Sequence, residues 1–188
     1  MPVQARPASG RDWRNAAAYA PLLDADRSLV AWEWLRRDAR YIEAAAASRR
    51  PGRSAAPFGL VQFEAAELTV PDARPLWISD VHPYVLHVSR GADAGVGDVF
   101  EFADFGAIAT LVTREGGEHL LLCDGVRTMR LDGQPGTFGE GPVCLRYMLQ
   151  GLAAAERPLL TLQRLLALGR SKSFPRSLWR GVARGAGS

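Results

Sequence analysis

Residues 158–178 read PLLTLQRLLALGRSKSFPRSL and constrain how the rest of the chain can fold. At about 100° per residue, most of the leucines fall on one broad helical face: Leu159, Leu162, Leu165, Leu166 and Leu168. Leu160 lies nearly opposite that face, so a helix here needs apolar neighbours on two sides. Gly169 followed by Arg170 indicates the C-terminal end of the helix. The pattern predicts a largely buried helix that packs on a second layer of structure.

The charges are unevenly distributed along the chain. The net charge is +4 over residues 1–53, −8 over residues 54–156 and +7 over residues 157–188, where seven basic residues stand without an acidic one. An acidic centre between basic ends can bind a polyanion through those ends, or the ends can fold back on the centre. A third interpretation is a solvated charge distribution without a partner.

The composition indicates a folded intracellular protein. Hydrophobic residues make up 47% of the 188 residues, with five Trp and seven Phe, which is ample for a core. No apolar run approaches the roughly 20 residues of a membrane span, and the opening MPVQARPASGRDW lacks the apolar core of a signal peptide. Cys123 and Cys144 are too few for a disulfide scaffold. We therefore expect a cytoplasmic protein with two reduced cysteines and no membrane partner.

A Trp-rich helical unit is predicted over residues 11–53. Ser28 is a good N-cap for a helix over residues 29–37, and Asp38 is placed to cap a second helix. Residues 54–75 are interpreted as a Pro-containing linker.

Two further features belong to this helical unit. Glu33 and Arg37 have the i, i+4 spacing of a favourable ion pair. The tryptophans are expected to be core anchors rather than base-stacking platforms, namely Trp13, Trp32 and Trp34.

Downstream of the linker the apolar period changes to the two-residue period of strands. The predicted strands are residues 85–89, 109–113, 118–123 and 143–149. Asp124-Gly125 is a candidate for a type I′ turn, and it places the hairpin of residues 118–132 at the centre of the sheet. The expected fold class is α+β, with an N-terminal helical unit, a small antiparallel β-sheet within a domain over 76–180, and a C-terminal amphipathic helix.

Residues that could carry catalysis or hold a metal are not grouped in the sequence. His82 and His87 are five positions apart, so in a strand they would face opposite sides and could not share a metal. Cys123 with His119 could form a thiol site, but Cys123 ends a Leu run beside a turn, which is typical of a small core residue. No phosphate loop, nucleophile elbow or paired-carboxylate motif appears. We expect no enzymatic activity, no metal and no cofactor.

Two stretches resemble known families. Asp12-Trp13-Arg14, the block WEWLRRD at 32–38 and Tyr41 resemble the N-terminal transcriptional regulator-like domain of proteobacterial proteins. The stretches GPVCLRYMLQGL and RPLLTLQRLLALGRSKSFPRSL resemble the domain named for the DNA-binding part of the RovC-type transcription factor. The two resemblances together span roughly residues 11–178. Proteins that join these domains include activators of the excision and transfer of integrative and conjugative elements. The resemblance therefore implies a regulator of a mobile genetic element.

The resemblance breaks down at the C-terminus. In the family the FPRSL segment is followed by a helix-turn-helix-like unit, whereas here WRGVARGAGS follows it. Two helices and a turn need on the order of 20 residues. The sequence therefore predicts a C-terminally truncated or naturally short form whose base-reading helices are missing and whose residues 181–188 are a disordered tail.

Two hypotheses for the function follow. In the first, the chain is a DNA-binding transcriptional regulator-like protein that contacts phosphates weakly through basic residues: Arg164, Arg170, Lys172, Arg176 and Arg180. In the second, it is a protein-binding modulator of a full-length regulator, or a homo-oligomer, that associates through apolar side chains: Leu160, Leu168 and Trp179. The basic tail favours the first hypothesis, and the missing helices favour the second.

Overall fold

The computed structural model of the protein describes residues 15–48, 53–82, 84–91, 99–106, 108–114, 116–139, 141–149 and 156–170. The chain forms two compact units. The first runs to Pro83 and also includes Gly125–Arg127, and the second contains Tyr84–Asp124 and the chain from Thr128 onward. The α+β class with a helical N-terminal part and a C-terminal helix is confirmed.

Two short α-helices lie in the described part of the first unit, α1 (Arg27–Leu35) and α2 (Ala39–Ala46). Short 3₁₀ helices precede and follow them at Ala16–Leu22 and Ala56–Phe58. The three residues between α1 and α2 include Asp38, whose side chain accepts a hydrogen bond from the backbone N–H of Arg40 at 2.8 Å. The predicted Asp38 cap is therefore confirmed.

The N-cap of α1 differs from the prediction. Asp26, not Ser28, is the capping residue, and its Oδ1 accepts hydrogen bonds from the backbone N–H groups of Ser28 and Leu29 at 3.0 and 3.1 Å. The Ser28 hydroxyl lies inside the helix and donates to the same oxygen at 2.6 Å. The carboxylate can serve several donors at once, whereas a hydroxyl placed two residues later has no free N–H to cap.

Two aromatic residues form the centre of the first unit. The rings of Trp32 and Tyr41 pack edge to face with centroids 5.5 Å apart, and both residues are fully buried. Trp32 is the core anchor that was expected. Trp34 is 75% exposed, so the prediction of a core anchor is wrong for this residue. Two positions along a helix correspond to a rotation of about 200°, so Trp34 lies on the opposite side of α1 from the buried Trp32. Trp13 lies outside the described residues.

Residues 54–75 differ from the expected linker because they contribute to the core of the first unit. Leu60, Val70 and Ala73 are buried, and the indole N–H of Trp32 donates to the carbonyl of Leu68 at 2.9 Å. The segment is irregular, so its apolar residues follow neither the helical nor the strand period, and the sequence pattern does not reveal their burial.

The second unit is built on a six-stranded sheet of the order β2-β6-β1-β5-β4-β3. The strands are β1 (Val85–Arg90), β2 (Val99–Phe100), β3 (Ala109–Arg114), β4 (Gly117–Cys123), β5 (Thr128–Gly133) and β6 (Val143–Met148). Among the described residues, β1 and β5 run parallel and the other neighbouring strands run antiparallel. The sheet is therefore mixed, not purely antiparallel, because β1 and β5 run in the same direction.

The predicted hairpin is confirmed as β4 and β5, which are both interior strands of the sheet. Its turn is not type I′. The last pair in register is Cys123 with Thr128, which leaves a four-residue loop, and Gly125 is in the left-handed region with φ 89° whereas no described non-glycine residue has a positive φ. Neither Cys123 nor Cys144 forms a disulfide, as expected.

Helix α3 (Glu156–Arg170) covers the core of the second unit. Leu162, Leu165 and Leu166 are buried against the apolar side chains of the sheet and of the 3₁₀ helix Phe102–Phe105. The predicted buried leucine face is thus confirmed. The described helix ends at Arg170, directly after Gly169, where the sequence predicts its C-terminal end.

Candidate functional site

Two of the predicted site residues lie side by side on the outer face of α3. Leu160 is 47% exposed, and Arg164, one helical turn further on, is exposed as well. Residues four apart on a helix are neighbours on its surface. The candidate phosphate contact and the candidate partner contact therefore share one surface, which we call the outer α3 face and which comprises Leu160, Gln163, Arg164 and Ala167.

Other predicted site residues are not brought to this surface. Leu168 is half-buried and packs against the core of the second unit. The remaining candidates lie outside the residues whose side chains the structure describes, and these are Arg170, Lys172, Arg176, Trp179 and Arg180. The outer α3 face is therefore the part of the predicted site that the structure describes.

A buried charge network in the first unit adds a second candidate. Glu33 is 2% exposed, and its Oε2 accepts hydrogen bonds from Arg36 Nε at 2.9 Å and from Arg37 Nη2 at 3.2 Å. Its Oε1 accepts from the backbone N–H of Val70 at 3.1 Å. The predicted Glu33–Arg37 pair is confirmed. One carboxylate between two guanidinium groups leaves an excess of positive charge in this network.

Arg36 is the member of this network that the sequence reasoning missed. It is 3% exposed, and its Nη1 reaches the carbonyl of Ala66 only at 3.5 Å. Within the described residues its buried Nη2 has no hydrogen-bond partner. The i, i+3 spacing of Arg36 from Glu33 is visible in the sequence. The burial of Arg36 depends on the segment around Ala66, so the sequence pattern does not reveal it.

A third polar cluster lies on one face of the β4–β5 hairpin. Arg130 donates from Nε and Nη2 to the two carboxylate oxygens of Asp132 at 2.6 and 2.7 Å. His119 is opposite Asp132 in the strand register, with its Nδ1 2.9 Å from Asp132 Oδ1 and 3.0 Å from Arg130 Nη2. Burial raises the pKa of Asp132, but the hydrogen bonds with His119 and Arg130 outweigh it and hold that pKa below its ordinary value of 3.8.

The Glu33 network and the hairpin cluster consist of hydrogen bonds and ion pairs, which bind groups together and stabilise the fold. The Asp132 carboxylate is already occupied by Arg130 and His119, so this cluster ties the two strands together. Among the described residues, no group of three or more His, Cys, Asp or Glu side chains could hold a metal ion. In the same ranges, each helix is too short or too polar to cross a membrane.

The comparisons with known proteins concern the first unit. Residues 12–62 match the model of the proteobacterial transcriptional regulator-like domain, and this range contains α1, α2 and the Glu33–Arg36–Arg37 network. The match does not extend to the stretches that resemble the RovC-type domain. No curated protein and no solved structure matches the chain. The N-terminal part of the chain is therefore similar to a transcriptional regulator-like domain, which suggests a regulatory role.

Proposed function

We propose that this chain is a transcriptional regulator of a mobile genetic element that contacts DNA phosphates through α3 and the basic segment after it. The match of residues 12–62 to a regulator-like domain supports the regulatory role. The exposed position of Arg164 on α3 supports the phosphate contact. Arg170, Lys172, Arg176 and Arg180 follow it without an acidic residue between them. Contacts of arginine and lysine side chains with the phosphates of a duplex supply binding that depends little on base sequence.

The first unit offers little for reading bases. Helices α1 and α2 with their short turn have the size of a helix-turn-helix motif. Yet Arg40, the arginine of α2, is bound to Asp38 at 2.8 Å, and the exposed Glu43 on the same helix repels phosphates. In the described residues of this unit, nine acidic side chains outnumber seven arginines. The proposed DNA contact therefore belongs to the second unit and has low sequence specificity.

The test is a salt series of affinities for several duplexes of equal length. Each phosphate contact contributes roughly 0.9 to the slope of log affinity against log salt. We expect Arg164→Gln to reduce the magnitude of this slope by roughly 0.9, the contribution of one phosphate contact. Deletion of residues 171–188 should reduce the magnitude further. The control Arg40→Gln should leave the slope unchanged. Unchanged affinity in the deletion variant would refute the proposal. A large preference for one duplex that persists at high salt would refute the low specificity.

A second candidate function is a protein-binding modulator, and the exposed Leu160 favours it. Burying a leucine side chain contributes about 1.5–3 kcal/mol, so one such residue matters for association. If the outer α3 face binds a second copy of the chain, Leu160→Glu should make an oligomer monomeric in light scattering without unfolding it. Gln163→Glu adds the same charge on the same face and is the control. A wild type that is monomeric at all concentrations would exclude self-association through this face.

A further inference from the structure

Strand β3 forms one edge of the six-stranded sheet, and its outer side is unpaired among the residues that the structure describes. All six residues of β3 pair in register with β4, without a bulge. The strand contains no proline and no lysine, and its one charged residue stands at its end. Such residues, a bulge or a very short strand commonly protect a sheet edge from pairing with another chain. The opposite edge strand, β2, has only two residues, whereas β3 is long enough to pair with a further strand.

The hydrogen bonds with β4 determine which backbone groups of β3 point outward. The N–H of Cys123 donates to the carbonyl of Ile108 at 2.7 Å, and these two residues continue the register of β3 with β4. In an antiparallel pair, every second residue directs both its N–H and its C=O to the neighbouring strand. Residues 110, 112 and 114 therefore follow residue 108 in pointing toward β4. The N–H and C=O groups of Ala109, Leu111 and Thr113 point away from the sheet.

The order of residues along β3 suits a second copy of the same strand. When two copies run antiparallel with Leu111 opposite Leu111, Ala109 of each strand stands opposite Thr113 of the other. All three outward-pointing residues of both strands then form hydrogen-bonded pairs. Thr110 of each strand stands opposite Val112 of the other, and such β-branched side chains pack well on a pleated surface.

Charge does not oppose this pairing. Arg114 is the charged residue of β3, and the two copies of Arg114 lie at opposite ends of the paired strands. They are six positions apart along the strand direction, which is about 20 Å. That distance exceeds the Debye length of about 8 Å at physiological salt, so their repulsion is largely screened.

The pairing also extends the hydrophobic core of the second unit. Leu111 is half-buried and packs against the core that α3 covers. Side chains of directly opposite residues lie on the same face of a sheet, so the two copies of Leu111 meet and bury each other further. For the same reason, the two α3 helices lie on the same side of the joined sheet.

We propose that the chain forms a symmetric homodimer in which β3 pairs with β3 of a second copy, so that two six-stranded sheets become one continuous sheet. Main-chain hydrogen bonds, as in other cases of strand addition to a sheet edge, supply the affinity. The dimer does not depend on the proposed DNA contact, but it deepens it, because it presents two outer α3 faces on one side of the molecule to one duplex.

The test is sedimentation equilibrium of the full chain over a series of concentrations, without DNA. We expect a monomer–dimer equilibrium for the wild type. Thr113→Pro removes an outward-pointing N–H and leaves the hydrogen bonds with β4 intact. It should weaken the dimer at least about tenfold, because one intermolecular hydrogen bond is lost from each copy. Thr113→Val keeps the N–H, so this matched control should dimerise at least as tightly as the wild type. A wild type that is monomeric at all concentrations would overturn the proposal, since the edge would then suit only a different chain.

A second substitution tests the register without proline. Leu111→Lys places two ammonium groups directly opposite each other, where like charges are destabilising, and should shift the equilibrium to the monomer. Thr113→Lys stands opposite Ala109 and is its control, which should remain dimeric. Circular dichroism establishes that each variant is folded. A dimer that survives Thr113→Pro or Leu111→Lys in a folded protein would overturn the proposal. Dissociation by Leu160→Glu would also overturn it, because the interface would then be the outer α3 face.

Discussion

The ring of Phe105 occupies the space in which a side chain on Gly169 would lie. A Cβ built on Gly169 would overlap the Cδ1 and Cε1 atoms of Phe105. Phe105 is 2% exposed and stacks on Phe100 with ring centroids 4.6 Å apart, so it has little room to move. The glycine near the end of α3 is therefore a packing residue that lets the helix approach the 3₁₀ helix Phe102–Phe105 closely.

Gly169→Ala is expected to destabilise the second unit although alanine is the better helix former. The gain in helix propensity is about 1 kcal/mol. Overpacking against Phe105 costs typically 1–3 kcal/mol, because a close-packed interior relaxes only in part. We expect a net loss of up to about 2 kcal/mol in the free energy of unfolding, measured with urea. Gly116→Ala is the control, since nothing lies within 4 Å of the added methyl group. A stabilised Gly169→Ala variant would contradict this packing.

Glu33→Gln is expected to be among the more destabilising single changes in the first unit. The substitution keeps the shape of the side chain but removes the charge that two arginines share, and Arg36 is then buried without a counter-charge. Removing one partner of a buried ion pair costs about 3–5 kcal/mol. Chemical unfolding monitored by tryptophan fluorescence measures the change, and Glu43→Gln, at an exposed position of α2, is the control. A loss no larger than that of the control would show that Arg36 does not need this partner.

The hairpin cluster predicts a dependence of stability on pH. The folded protein holds the pKa of Asp132 below the ordinary value of 3.8, so the ionised carboxylate stabilises the fold above that value. This contribution should be lost as the pH falls below about 5 and through the lowered pKa of the folded state. Asp132→Asn should flatten this part of the curve of unfolding free energy against pH, and the exposed Asp104→Asn should not. Identical acid dependence in Asp132→Asn and the wild type would contradict the assignment.

Several features were predictable from short stretches of sequence. The buried leucines of α3, the β4–β5 hairpin, the Asp38 cap and the Glu33–Arg37 pair all depend on residues within a few positions of one another. Periodicity, turn residues and capping residues act over that distance, so the pattern of residue types is sufficient to reveal them. In the candidate site, the helical period likewise predicts Leu160 opposite the buried leucine face, and the structure has it exposed there.

The remaining features depend on residues that are far apart in the chain. Arg36 is buried because the segment around Ala66 covers it, thirty positions away, and Glu33 binds the backbone of Val70 across thirty-seven. The parallel pairing of β1 with β5 and the contact of Gly169 with Phe105 likewise join distant stretches. Residue patterns report which side of an element is apolar, but not which distant segment will cover it. Tertiary packing decides which segment buries a given apolar surface and which acceptors pair with its buried hydrogen-bond donors.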